Sequence, residues 1–182
     1  MSVIERERKY RLATEQVDQL REHLSREGRW VRGGAEGDVF FDHPAIHLQR
    51  DDRRLRLRFR DQGGVQELTY KSPREIHGVD KVRRELTAVL VSGPIEELLG
   101  ELGFKRIRKI VKLREVYVWG DREVSLDYLE GAGWFCEIEA LENDADIDGL
   151  AYDLGLTPRQ LEPRTYSELV DEMADAAPVV AT

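Results

Sequence analysis

Cysteine occurs once in the 182 residues, at Cys136, which excludes an internal disulfide and leaves no thiolate cluster for a structural metal. That usage fits a reducing compartment. No run of about 18 apolar residues is present for a membrane span, and charges begin at Glu5, too early for a signal-peptide core. The chain is therefore expected in the cytoplasm, with no membrane partner. An excess of positive charge is also missing: the formal net charge is -8, which argues against an ordinary basic nucleic-acid binder. Neither a Walker-type glycine loop nor a dinucleotide-binding glycine pattern occurs, so any phosphate would be held by side chains and not by a backbone cradle. Histidine is scarce. His43 and His47 have the spacing of a helical metal pair, but Pro44 and the strand-like "DVFFD" before it oppose a helix there. The acidic run "ENDADID" lacks the glycine and terminal Glu spacing of a calcium loop.

What is present is a chain with 41% hydrophobic and 35% charged residues, too rich in apolar and aromatic side chains for disorder and long enough for one domain with a real core. A first strand in "VIERERKYRL" precedes a helix capped near Thr14, whose Val17, Leu20 and Leu24 repeat at helical spacing up to Gly28. Strand-like runs follow in "DVFFD", "RRLRLRFR", "VQELTYK" and "KVRRELTAVLV", with "DQGG" as a turn. "GPIEELLGELG" reads as a helix with Ile95, Leu98, Leu99 and Leu102 on one face. "IVKLREVYVW", "EVSLDYL" and "WFCEIEAL" are strands again, and "DIDGLAYDLG" and "TYSELVDEMA" are closing helices. The fold class is α+β, dominated by strands, with no linker that would divide it.

The strand faces carry the functional signal. In "RRLRLRFR", Arg54, Arg56, Arg58 and Arg60 share one face and Leu55, Leu57 and Phe59 the other. The same split places Glu5, Glu7 and Lys9 together, and likewise Glu67, Thr69 and Lys71, Arg83 and Glu85, Lys112 and Arg114, and Glu137 and Glu139. Asp127 opposes Leu126 and Tyr128, and Cys136 alternates away from the acids toward packing under a helix. A solvated outer face explains any one such strand. Surface ion pairs contribute only about 0–1 kcal/mol each, so stability gives no reason for stripes of both signs on so many strands. The alternative is a barrel with its charged face inward, wet and open to ions. In it, Glu5, Glu7, Asp127, Glu137 and Glu139 are candidate ligands for a hard divalent cation, whereas Arg and Lys suit phosphate oxygens.

These residues resemble the signature of the CYTH, or triphosphate tunnel metalloenzyme, superfamily: Glu5-x-Glu7-x-Lys9, Arg56-x-Arg58, Lys71, Arg83-x-Glu85, Lys112-x-Arg114, Asp127 and Glu137-x-Glu139, in the family's order. The resemblance implies an eight-stranded antiparallel β-barrel, the triphosphate tunnel, with a charged lumen and helices packed outside, formed by a single domain over 1–174 with a flexible tail over 175–182. It implies a metal-dependent enzyme using Mg²⁺ or Mn²⁺. Glu5, Glu7, Asp127, Glu137 and Glu139 would serve the metal, and Glu5, Glu7, Lys9, Glu137 and Glu139 the catalysis. Lys9, Arg56, Arg58, Lys71, Arg83, Lys112, Arg114, Arg164 and Tyr166 would bind the substrate, with Glu85 as a less defined lumen residue. "LDYLEGAGWFCEIEAL" and "LEPRTYSELV" are similar to the class IV adenylyl cyclase branch, with Thr165 in place of the usual Ser. Substrates in prospect are ATP, tripolyphosphate and thiamine triphosphate, which leaves cyclisation and hydrolysis both open; a non-catalytic nucleotide or polyphosphate module is a lesser alternative. Nucleic acid is not an expected partner. A closed barrel needs no partner to cover its edges, so both a monomer and a homodimer are compatible.

Overall fold

The computed structural model describes residues 2–60, 66–91 and 93–176. The strands are β1 (Ser2–Leu12), β2 (Arg29–Asp42), β3 (Arg54–Arg60), β4 (Gln66–Lys71), β5 (Glu75–His77), β6 (Asp80–Leu90), β7 (Lys105–Trp119), β8 (Arg122–Leu129) and β9 (Gly133–Ala140). The helices are α1 (Thr14–Glu27), α2 (Ile95–Glu101), α3 (Ile147–Asp153) and α4 (Tyr166–Ala176). The "DQGG" turn lies outside the described residues; of the tail expected over 175–182, residues 175 and 176 are instead the last of α4, and the rest lies outside the described residues.

All pairings are antiparallel, in the order β1-β9-β8-β7-β2-β3-β4-β6. β1 closes the ring because it is long enough to pair twice: Ser2 to Glu7 against β6, and Arg6 to Leu12 against β9. Eight strands thus form a closed barrel, and β5 continues the β4 edge along β6 beyond Ser72 and Pro73. Closure removes the sheet edges that would otherwise invite aggregation.

Two apolar clusters lie on the outer wall. Val17, Leu20 and Leu24 of α1 pack with Tyr117, Val124, Leu126, Cys136 and Ile138, and α3 adds Ile147, Leu150 and Ala151. Each such buried aliphatic side chain contributes about 1.5–3 kcal/mol. Under α2, Leu99 meets Val39, Phe41, Leu55 and Leu57. Of the apolar face expected for α2, Leu98 and Leu102 are instead exposed, because the seven-residue helix touches the wall along one edge.

A third cluster lies inside one end of the barrel. Ile110, Leu129 and Phe135, on the same strand faces as Lys112, Asp127 and Glu137, pack against Leu169 of α4. α4 therefore crosses a mouth of the barrel. It is fastened by a two-pronged Arg74–Glu168 pair and by an Arg108–Asp171 pair. Gly131 in the β8–β9 turn has φ +80°, and a Cβ there would stand 3.1 Å from Met173 Sδ of α4, so glycine serves both the turn and the fit.

Sequence reasoning missed two stretches of strand. β2 begins at Arg29, well before "DVFFD", because Gly33, Gly34 and Gly37 hide the alternation, and β7 begins five residues before Ile110. His43 and His47 stand in a turn, with His47 at φ 47°.

Candidate active site

The lumen encloses a cavity of about 460 Å³. Its wall includes Glu5, Glu7, Lys9, Arg56, Arg58, Lys71, Arg83, Glu85, Lys112, Arg114, Glu137, Glu139 and Tyr166, so most of the residues singled out in the sequence meet there. The pleat is the reason: alternate residues of each strand point inward, and closure turns separate stripes into one lining. Asp127 and Arg164 are not brought to the cavity surface. Asp127 is fully buried behind it, accepting hydrogen bonds from Lys112 Nζ at 3.1 Å, Arg114 Nε at 2.6 Å and the Tyr166 hydroxyl at 2.6 Å. The Arg164 guanidinium turns away to Glu162 and Glu172, and only its carbonyl reaches the lumen, accepting from Lys9 Nζ at 2.9 Å.

The basic side of the lumen is built on β3 and β7. Arg58 donates to both oxygens of Asp38 at 2.7 Å, and Arg60 donates to Glu36 at 3.0 Å. Burial alone would raise the Glu36 pKa, but Arg58, Arg114 and Lys112 hold it down to about 2. Asp38 is held far below the carboxylate range against the same effect of burial, chiefly by Arg56 and Arg58. Lys112 is pushed down to about 8 by burial and by Arg114, against the pull of Asp127. Arg114 also pairs with Glu137, and despite its burial Glu137 stays well below its usual value because of Arg114 and Lys9.

The acidic side is a row across three neighbouring strands. Glu7 of β1 faces Glu139 of β9, which faces Glu123 of β8. Like charges opposed in this way repel. Burial, with Glu5, Glu123 and Glu7 adding to it, raises the Glu139 pKa to about 8. Among the described residues Glu139 has no hydrogen bond or ion pair, while Glu5 is met by Lys71 at 3.1 Å and Glu7 only by Lys81 at 3.8 Å. Under-neutralised carboxylates are the donor chemistry a hard divalent cation takes, although no three acids already converge at metal-ligand spacing among the described residues.

Glu36 and Asp38 were missed because glycines mask their strand; their alternation with Phe40 was the available signal. Glu123 shares its face with Ser125 and Asp127, and Lys81 continues the Arg83–Glu85 stripe backward, so both could have been read from the same period.

Comparison with known proteins agrees with this geometry. The CYTH domain family model matches residues 3–166. The adenylate cyclase CyaB of Aeromonas hydrophila is 29% identical over 145 residues, which span 75% of this chain and 73% of that protein. A Pyrococcus horikoshii protein of known structure superposes with TM-score 0.76 at 30% identity, covering 93% of this chain and 99% of that one. A Hippeastrum protein described as revealing a dominant triphosphatase activity has the same fold, with TM-score 0.67 at 20% identity, covering 96% of this chain and 98% of that one.

Proposed function

The chain belongs to the CYTH domain family, and on that premise we propose that it is a divalent-metal-dependent enzyme that acts on a triphosphate bound in the barrel lumen, resembling class IV adenylyl cyclase. The observation that carries this reading is one cavity lined by both cations and carboxylates, among which Glu139 is left under-neutralised. Such a site has partners for both halves of a metal–polyphosphate complex.

In this reading Arg56, Arg58, Lys71, Arg83, Lys112, Arg114 and Lys9 hold phosphate oxygens, and their fixed charges oppose the charge that develops on the transferring phosphoryl group. Glu5, Glu7, Glu137 and Glu139 would hold the metal, Mg²⁺ or Mn²⁺, which would supply charge neutralisation and Lewis acidity. Asp127, enclosed by Lys112, Arg114 and Tyr166, acts from behind the surface by fixing the aim of these side chains. Phe40, Ile110 and Tyr166 give the α4 end of the cavity its apolar wall, suited to a nucleobase. In cyclisation the ribose 3′-hydroxyl attacks the α-phosphate of ATP and pyrophosphate leaves. The protein is read as cytoplasmic, as a monomer or homodimer; among the described residues no helix is long and apolar enough to cross a membrane.

The second reading is hydrolysis of tripolyphosphate or thiamine triphosphate, in which water attacks the terminal phosphate. The predominantly charged lining favours it, since an inorganic polyphosphate needs no apolar wall. The test is product analysis by ³¹P NMR and chromatography with ATP, tripolyphosphate and thiamine triphosphate, each with Mg²⁺ or Mn²⁺, beside Glu139→Ala. Cyclic AMP plus pyrophosphate supports the cyclase; orthophosphate without cyclic AMP supports the hydrolase. Absence of both, with no triphosphate binding, rejects the proposal.

A further inference from the structure

Glu36 is a carboxylate shared by five cations. Its Oε1 accepts from Arg60 at 3.0 Å and from Arg32 at 3.4 Å, and its Oε2 faces Arg58 at 3.2 Å, Arg114 at 3.8 Å and Lys112 at 4.0 Å. Four of the five have a further carboxylate: Arg60 has Glu67, Arg58 has Asp38, and Arg114 and Lys112 have Asp127. Arg32 has no second one among the described residues. There, its long bond to Glu36 is its one hydrogen bond, and its buried Nε has no partner. Burial and the neighbouring Arg60 disfavour its charge; Glu123 favours it but forms no ion pair with it among the described residues. A guanidinium held in the wall with so little pairing is costly.

The side chain is nevertheless open to the tunnel. It is 29% exposed, lines the lumen cavity, and also lines a neighbouring cavity of about 110 Å³ whose charged walls are Arg32, Arg60, Arg114 and Glu36. Three guanidinium groups against one carboxylate give that lining a positive excess.

Its place along the tunnel identifies the anion. On the β2–β7 pair, Asp38 stands opposite Ile110 at the α4 end, Gly34 opposite Arg114, and Arg32 opposite Val116. Arg32 thus lies beyond Arg114, at the end of the lumen remote from α4. The apolar wall of Phe40, Ile110 and Tyr166 is at the α4 end, so a triphosphate whose organic group takes that wall extends toward Arg32. The phosphoryl group at the free end of such a chain presents the most unshared oxygens, which suit the planar fork of a guanidinium.

We propose that Arg32 receives the outermost phosphoryl group of a triphosphate in the lumen, and thereby sets a preference for three phosphates over two. The inference rests on the triphosphate reading and adds to it the residue that measures chain length.

The test is calorimetric titration of wild type, Arg32→Gln and Arg32→Lys with tripolyphosphate and with pyrophosphate, without divalent metal and again with Mg²⁺, beside the ligand-free Tm. Arg32→Gln is expected to weaken tripolyphosphate binding about tenfold or more while pyrophosphate, short enough to lie among Arg56, Arg58, Lys112 and Arg114, keeps its affinity. Arg32→Lys, which retains the charge without the fork, should recover part of the loss. Unchanged tripolyphosphate affinity in Arg32→Gln overturns the inference, and so does an equal loss for both anions. A lowered ligand-free Tm with wild-type affinity in the folded variant would make Arg32 a structural partner of Glu36 instead. Should Arg32→Gln fail to fold, Arg32→Lys decides by the same comparison of the two anions. Wild-type protein that binds no tripolyphosphate in either buffer overturns the triphosphate reading, whereas wild-type binding with no selective loss in the variants overturns this inference alone.

Discussion

Arg58 grips Asp38 across the β2–β3 pair through two hydrogen bonds, each 2.7 Å long, and both side chains are buried in the tunnel wall. Removal of either residue alone breaks both hydrogen bonds and leaves the other with a lesser partner, Asp38 with Arg56 at 3.9 Å and Arg58 with Glu36 at 3.2 Å. Arg58→Met is therefore expected to cost about 3–5 kcal/mol, read from the urea midpoint. The double variant Arg58→Met/Asp38→Asn should be more stable than Arg58→Met alone. A double variant as unstable as the sum of both singles would show that the pair is not the coupled unit its geometry indicates.

The acidic row gives a pH dependence with a definite sign. The Glu139 pKa is raised from an ordinary 4.5 to about 8, so the folded state keeps a proton that the unfolded chain releases. Its contribution to stability is complete below about pH 4.5 and is lost as pH rises through about 8. In metal-free buffer, Glu139→Gln should exceed wild type by roughly 2–4 kcal/mol near pH 9 and match it near pH 4. Denaturant titrations across that range check it, and an equal difference at both ends would refute an origin in the Glu139 proton.

Removal of metal follows from the same row. Mg²⁺ or Mn²⁺ should raise the Tm of wild type, and chelation should reverse the gain, because ligation of the ionised form relieves the repulsion among Glu7, Glu139 and Glu123. Glu139→Gln should lose most of this shift, and turnover of the triphosphate should fall about 100-fold or more in the same variant. Equal metal-induced shifts in both proteins would place the ion elsewhere.

Tyr166 donates to the fully buried Asp127. Tyr166→Phe should cost about 1–3 kcal/mol, since Asp127 keeps Lys112 and Arg114. Glu168→Gln, which weakens the partly exposed pair to Arg74 on α4, should cost about 1 kcal/mol or less. The order of the two urea midpoints is the check.

Cys136 is completely buried, and burial pushes its thiol well above the usual range. The native protein should be inert to a thiol reagent at pH 8 and react fully once unfolded in guanidinium. Rapid labelling of the native form would contradict its place beneath α1 and α3.

Which side chains share a face is legible in the alternation along each strand. A period of two needs only the pleat, so the inward set from Glu5 and Glu7 through Arg56 and Arg58 to Glu137 and Glu139 was legible without coordinates. Where glycine interrupts the pattern, as before Glu36 and Asp38, the period was obscured and two of the tunnel's most strongly held acids were missed. How the stripes meet follows from the closure of the barrel. β1's double pairing sets Glu7 beside both Glu139 and Lys81, and α4 across the mouth brings Tyr166 onto Asp127 while Arg164 turns outward. These relationships depend on register and on docking between segments far apart in the chain, and local alternation carries no information about either.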